Sequence, residues 1–153
     1  MERLDALAAI SGRGVLGDAH LRVVAYKRLA AIALGESGED SEVFLKYLCC
    51  VGNSYDSKGE YDNAEEVLDR CIKTCESYLG GGNEITLKAM QGRAVVYRSK
   101  GDYDKAMELY KKCYEGQKSA LGEEHPDTLA TINNMAVVYR SKGDYDKAME
   151  LYK

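Results

Sequence analysis

The chain has 153 residues and a net charge of −4, with 45% hydrophobic and 30% charged residues, an ordinary balance for a globular protein. Acidic and basic residues alternate over short distances, so the cationic stripe typical of nucleic-acid binding is missing, and no apolar run is long enough to cross a bilayer. The five cysteines include no CxxC pair, which argues against a disulfide framework or a zinc site. We therefore expect a cytoplasmic protein with reduced thiols.

The first 37 residues predict two helices. Leu4 and Leu7 suit a short one, and residues 18–34 suit a second, with Gly12 and Gly14 between them. We interpret residues 1–37 as an N-terminal helical cap or a decayed repeat.

An internal repeat organises the rest of the chain. Residues 94–111 read AVVYRSKGDYDKAMELYK, and residues 136–153 read the same, 42 positions later. A weaker copy precedes them. A fixed period of tens of residues is typical of a solenoid, and we divide the chain into units at about 38–79, 80–121 and 122–153, the last truncated.

Each unit predicts two helices, because apolar and small residues recur at steps of three and four. In the second unit the packing columns are Leu87, Met90, Ala94 and Tyr97, then Tyr103, Ala106, Tyr110 and Cys113. The third unit repeats the first column at Leu129, Ile132, Ala136 and Tyr139. The small residues allow the helix backbones to approach closely.

Turn residues mark the predicted helix ends. A glycine after Ser-Lys is typical of a left-handed C-cap, and it occurs at Gly59, Gly101 and Gly143. Asp102 and Asp144 are expected to cap the second helices. The first helices are expected to begin at Ser41, Asn83 and His125, where Pro126 offsets the weaker capping of a histidine.

The pattern of small residue, Tyr, Gly, Tyr, Ala and Tyr resembles the tetratricopeptide signature. In the third unit it is carried by Ala136, Tyr139, Gly143, Tyr145, Ala148 and Tyr152. The 42-residue period, the linker LGEEHPDT and the segment INNMA resemble the kinesin-light-chain subtype, over roughly residues 40–153. The resemblance implies an all-α fold, a right-handed superhelical solenoid of antiparallel helix pairs, whose concave face binds peptides or proteins.

The column one residue beyond the packing stripe of each first helix is the candidate inner wall, because one residue is about 100° round the helix. By resemblance, Asn133 and Asn134 fall on amides that hold the backbone of a bound peptide. Lys88, Arg98 and Arg140 suggest a mildly basic lining suited to acidic or amide-rich peptides. The predicted binding residues are Lys46, Asn53, Asp56, Lys88, Gln91, Val95, Arg98, Asn133, Asn134, Val137 and Arg140.

Catalysis is not expected. His20 and His125 are the only histidines, and Cys71 and Cys75, one helical turn apart, lack a third metal ligand, so we interpret them as inert buried thiols. Gly80 follows a predicted helix instead of the strand of a phosphate loop.

We therefore predict a non-catalytic binding module of a larger scaffold or adaptor, with a protein or peptide partner, no cofactor, no nucleic acid and no membrane. The alternative is a structural spacer or a self-associating array. Residue 153 falls within a predicted helix, so the C-terminal face would be uncapped and available to a second copy.

Overall fold

The computed structural model describes residues 19–152, which form seven α-helices and no strand. We label them α1 (Ala19–Ser37), α2 (Glu42–Lys58), α3 (Tyr61–Tyr78), α4 (Glu84–Ser99), α5 (Tyr103–Leu121), α6 (Pro126–Ser141) and α7 (Tyr145–Leu151). The helix predicted around Leu4 and Leu7 lies outside the described residues.

The helices follow the 42-residue period of the sequence. The helices α2, α4 and α6 begin at residues 42, 84 and 126, and α1, α3, α5 and α7 begin at residues 19, 61, 103 and 145. Each helix packs on the next one, and α2 also packs on α4. Consequently α1 has the register of a second helix, although the division of the chain into units stays a prediction.

The predicted turn glycines and first-helix caps are confirmed. Gly59, Gly101 and Gly143 have φ values of 84°, 84° and 82°, a left-handed conformation that costs glycine little. The Ser41 Oγ accepts a hydrogen bond from the Phe44 N–H at 3.1 Å. Asn83 caps α4 in the same way.

His125 is a better cap than the sequence indicates. Its Nδ1 accepts a hydrogen bond from the Asp127 N–H at 3.1 Å, while Pro126 occupies the first helical position. The ring nitrogen thus replaces the usual side-chain oxygen.

The prediction that Asp102 and Asp144 cap the second helices with their side chains is wrong. Both occupy the N-cap position without a side-chain capping hydrogen bond, although the Lys147 side chain and, to a smaller extent, the Lys147 backbone N–H lower the pKa of Asp144. Their ψ value of 71° departs from the extended value of 138° at Ser41. Each carboxylate pairs with a lysine three residues later, Lys105 at 3.2 Å and Lys147 at 2.8 Å.

The small residues of the packing columns lie at the helix crossings. Ala64, Ala94 and Ala106 are fully buried, and a Cβ at Gly52 would stand 2.5 Å from the Leu68 Cγ. The close approach of α2 to α3 therefore depends on the absence of a Cβ at Gly52.

Leu129 departs from the predicted packing column and is 51% exposed. Its equivalent Leu87 is buried against Cys113 and lies next to Gly116, both in the C-terminal half of α5. The described part of α7 ends at Leu151. It contains no residues equivalent to Cys113 and Gly116, so Leu129 lacks these neighbours.

A buried arginine joins α4 to α3. The Arg93 side chain donates to Asp69 at 2.7 Å and to Glu65 at 3.0 Å, and its guanidinium stacks on the Tyr97 ring at 3.9 Å. Burial raises the pKa of Glu65, but the hydrogen bond from Lys100 and the charge of Arg93 leave it below its ordinary value.

The interface between α5 and α6 has a different chemistry. Met107 and Met135 pack together there, and the buried Thr131 hydroxyl donates to the Gln117 Oε1 at 2.5 Å. The two interfaces thus use unlike residues at equivalent positions.

Candidate functional site

An open groove of about 800 Å³ runs between α2 and α4, the first helices of two consecutive pairs. Because the packing columns turn toward the second helices, the opposite faces of α2 and α4 remain free to form it. Its lining comprises Glu42, Val43, Lys46, Cys49, Cys50, Asn53, Asp56, Ser57, Asn83, Glu84, Ile85, Lys88, Gln91, Gly92 and Val95.

Six of the predicted wall residues lie together in this groove: Lys46, Asn53, Asp56, Lys88, Gln91 and Val95. Asn53 projects across to α4, where a Cβ at Gly92 would collide with its Oδ1. In the third unit the equivalent position is occupied by Asn134. The absence of a side chain at Gly92 therefore leaves room for Asn53 between α2 and α4.

Three polar side chains of the groove make few or no polar contacts within the fold. The Asn53 amide makes only a long hydrogen bond to the Cys49 sulfur, at 3.8 Å. Within residues 19–152, Gln91 has no hydrogen-bond partner and Lys46 no ion-pair partner. These groups can therefore pair with an incoming chain without breaking a contact of the fold.

The charge of the groove differs from the basic lining expected from the wall column alone. Glu42 and Glu84 also line it, which gives three carboxylates against two ammonium groups. Lys88 is paired with Glu84 at 2.9 Å, and this hydrogen bond raises the pKa of Lys88. Sequence reasoning missed both glutamates, although their place directly after the N-caps Ser41 and Asn83 was a usable signal.

The thiols of the groove are poor nucleophiles. Burial raises the pKa of Cys49 to about 12 and raises the pKa of Cys50 despite the opposing charges of Lys46 and Lys88. Both therefore stay protonated at neutral pH, whereas a nucleophilic cysteine needs its thiolate form.

The remaining cysteines belong to the core. Cys71 and Cys75 lie 3.9 Å apart, sulfur to sulfur, and their hydrogen bond, with burial, raises the pKa of Cys71. Burial also raises the pKa of Cys113, to about 11. All five cysteines are free.

The other five predicted wall residues lie outside the groove, on α4 and α6. The two amides expected to hold a peptide have partners within the protein: Asn134 accepts from Arg98 at 3.4 Å and Asn133 from the Tyr152 hydroxyl at 3.0 Å. Val137 is half-buried and Arg140 is exposed. The unpaired binding groups are therefore concentrated between α2 and α4.

Metal-binding and membrane-spanning features were also sought in the part of the chain from Ala19 to Tyr152. No group of three or more histidine, cysteine, aspartate or glutamate residues there could hold a metal ion. None of these seven helices is both long and apolar enough to span a bilayer.

Consecutive antiparallel helix pairs with a groove along their first helices define an α-solenoid repeat protein. Residues 42–119 and 108–153 match the family model of the tetratricopeptide repeat, and the chain belongs to that family. The comparison with curated protein sequences returned no match. Tetratricopeptide folds generally mediate protein–protein interactions.

Solved structures confirm the solenoid. A candidate kinesin light chain of nearly identical TPR-like repeats from Podosopora anserina matches with a TM-score of 0.81 and 23% identity, over 97% of this chain and 71% of that one. BtubC (BKLC) from P. vanneervenii matches with a TM-score of 0.80 and 20% identity, over 98% of this chain and 58% of that one. The fold is thus that of kinesin-light-chain-like repeats.

Proposed function

We propose that the chain is a non-catalytic module that binds an extended segment of another protein in the groove between α2 and α4, as part of a scaffold or adaptor. The observation that carries this proposal is the concentration of unpaired polar side chains, Lys46, Asn53, Asp56 and Gln91, in one groove of about 800 Å³.

The chemistry of the groove suits an extended peptide. The amides of Asn53 and Gln91 both donate and accept, so they can pair with a peptide backbone. Val95, which also lines the groove, can contact small apolar side chains. The groove is small compared with a standard protein interface, so we expect affinities on the order of micromolar.

Panning the chain against displayed random octapeptides tests the proposal. Enriched peptides should lose affinity for Asn53→Trp, which fills the groove. They should keep their affinity for Asn63→Trp, the same substitution at an exposed site of α3 outside the groove. Absence of enrichment, or equal affinity for Asn53→Trp and wild type, would count against the groove as the binding face.

A second candidate function, self-association, is favoured by one observation. Leu129, Met149 and Tyr152 are between 51% and 64% exposed, whereas their equivalents Leu87, Met107 and Tyr110 are buried. We propose that this face accepts another helix pair. Sedimentation equilibrium over a concentration series would show dimers or larger species if the pair comes from a second copy, and a single monomeric species would oppose it.

We also propose a cytosolic location, because five unpaired thiols are typical of a reducing compartment.

A further inference from the structure

One carboxylate oxygen in the groove is buried without a partner. The Asp56 Oδ1 is shielded from solvent and accepts no hydrogen bond, and no ion pair within residues 19–152 involves Asp56. A shielded carboxylate is costly unless it is paired, so nearly all such groups in proteins have a donor. The fold therefore leaves the half-exposed Asp56 carboxylate, which lines the groove, without a donor.

Arg98, the residue equivalent to Asp56 in the next unit, does not pair with it. The Arg98 guanidinium donates to Asn134 on α6 at 3.4 Å and forms no ion pair with Asp56. The position of Asp56 in the other two units is occupied by Arg98 and Arg140. The acid is therefore specific to the groove between α2 and α4.

We propose that this end of the groove binds the cationic side chain, lysine or arginine, of the extended protein segment held between α2 and α4. The cation donates to the Asp56 carboxylate, which lines the groove and has no donor within the described residues. The excess of carboxylates among the groove's charged residues favours the same kind of ligand. This inference rests on the proposed function and specifies the partner's charge at one position.

The probe is the set of octapeptides enriched by panning against wild-type protein, with affinities measured by fluorescence anisotropy. We expect the peptides to share a lysine or arginine at one position. Asp56→Asn should weaken their binding about tenfold, since removing one member of a sheltered charge pair is costly, and Asp146→Asn, the same change at an exposed site of α7, should leave it unchanged. Replacing the shared cation with norleucine should cost about tenfold with wild type and little with Asp56→Asn.

Urea denaturation separates a binding role of Asp56 from a structural one. The Asp56 carboxylate has no donor in the fold to lose, so Asp56→Asn should unfold at the same or higher urea concentration than wild type while binding the peptides more weakly. Peptides without a shared cation, or a norleucine effect of equal size in wild type and Asp56→Asn, would overturn this inference. If those peptides still lose affinity for Asn53→Trp, the proposed function survives. If no peptide is enriched, both fall.

Discussion

Arg93→Met tests how the first two helix pairs are joined. The substitution introduces the residue that occupies the same place in the next interface, Met135. Removing one partner of a buried ion pair costs about 3–5 kcal/mol. Here Glu65 keeps Lys100 at 3.2 Å and the Asp69 side chain is 60% exposed, so we expect a smaller loss of about 1–3 kcal/mol.

Urea denaturation followed by far-ultraviolet circular dichroism measures this loss, and in a chain of this size each kcal/mol lowers Tm by about 2–4 °C. The triple variant Glu65→Met, Asp69→Lys and Arg93→Met replaces the ion-paired residues of the first interface with their equivalents in the second, Met107, Lys111 and Met135. It should recover to within about 1 kcal/mol of wild type, because well-packed apolar residues often replace a buried ion pair at no cost. The reasoning is refuted if Arg93→Met is as stable as wild type, or if the triple variant is no more stable than Arg93→Met.

Three further predictions concern caps, thiols and acid. Ser41→Ala should cost about 1 kcal/mol in urea denaturation, whereas Asp102→Ala, which removes no capping bond, should cost a few tenths; equal losses would contradict the cap assignment. A short maleimide pulse read by mass spectrometry should label the half-exposed Cys50 well before the buried Cys113, and the reverse order would be inconsistent with the structure. A carboxyl whose pKa is lower in the folded state than in the unfolded state stabilises the fold at pH values above its unfolded-state pKa. This contribution is lost as the pH falls through the folded-state pKa. Glu65→Gln should therefore flatten the fall in stability below pH 4.5, the ordinary value of this carboxyl, and an unchanged acid-denaturation curve would exclude that contribution.

Much of the fold could be predicted from the sequence because its determinants are local. The glycines at residues 59, 101 and 143 fix where first helices end through their own backbone freedom, and the side chains at 41 and 83 cap the helices that directly follow them. The spacing of small and aromatic residues gives the packing faces in the same way. Asp102 shows the limit of such reasoning, because its backbone geometry directs the carboxylate to Lys105.

The candidate site was less predictable because its features arise between units. Asn133 and Gln91 occupy equivalent positions, yet Asn133 accepts from Tyr152 and Gln91 remains available. The Asp56 Oδ1 has no donor, while Arg98, the equivalent residue of the next unit, donates to Asn134. Periodicity can align these residues, but it does not show which contacts the neighbouring unit has already satisfied.

The unlike interfaces also bear on how a chain with two identical 18-residue segments finds one folding register. Those segments have the same local preferences, so a misfolded form in which α6 docks on α3, with α4 and α5 looped out, would differ little in helix content. In that form Glu65 and Asp69 would meet Met135 instead of Arg93, and Gln117 would lose Thr131. The ion pair of the first interface thus penalises unit-skipping, since a desolvated carboxylate facing a thioether has no compensation. In a protein built from near-identical repeats, such differences between interfaces favour the native order of units over alternative assemblies of the same chain.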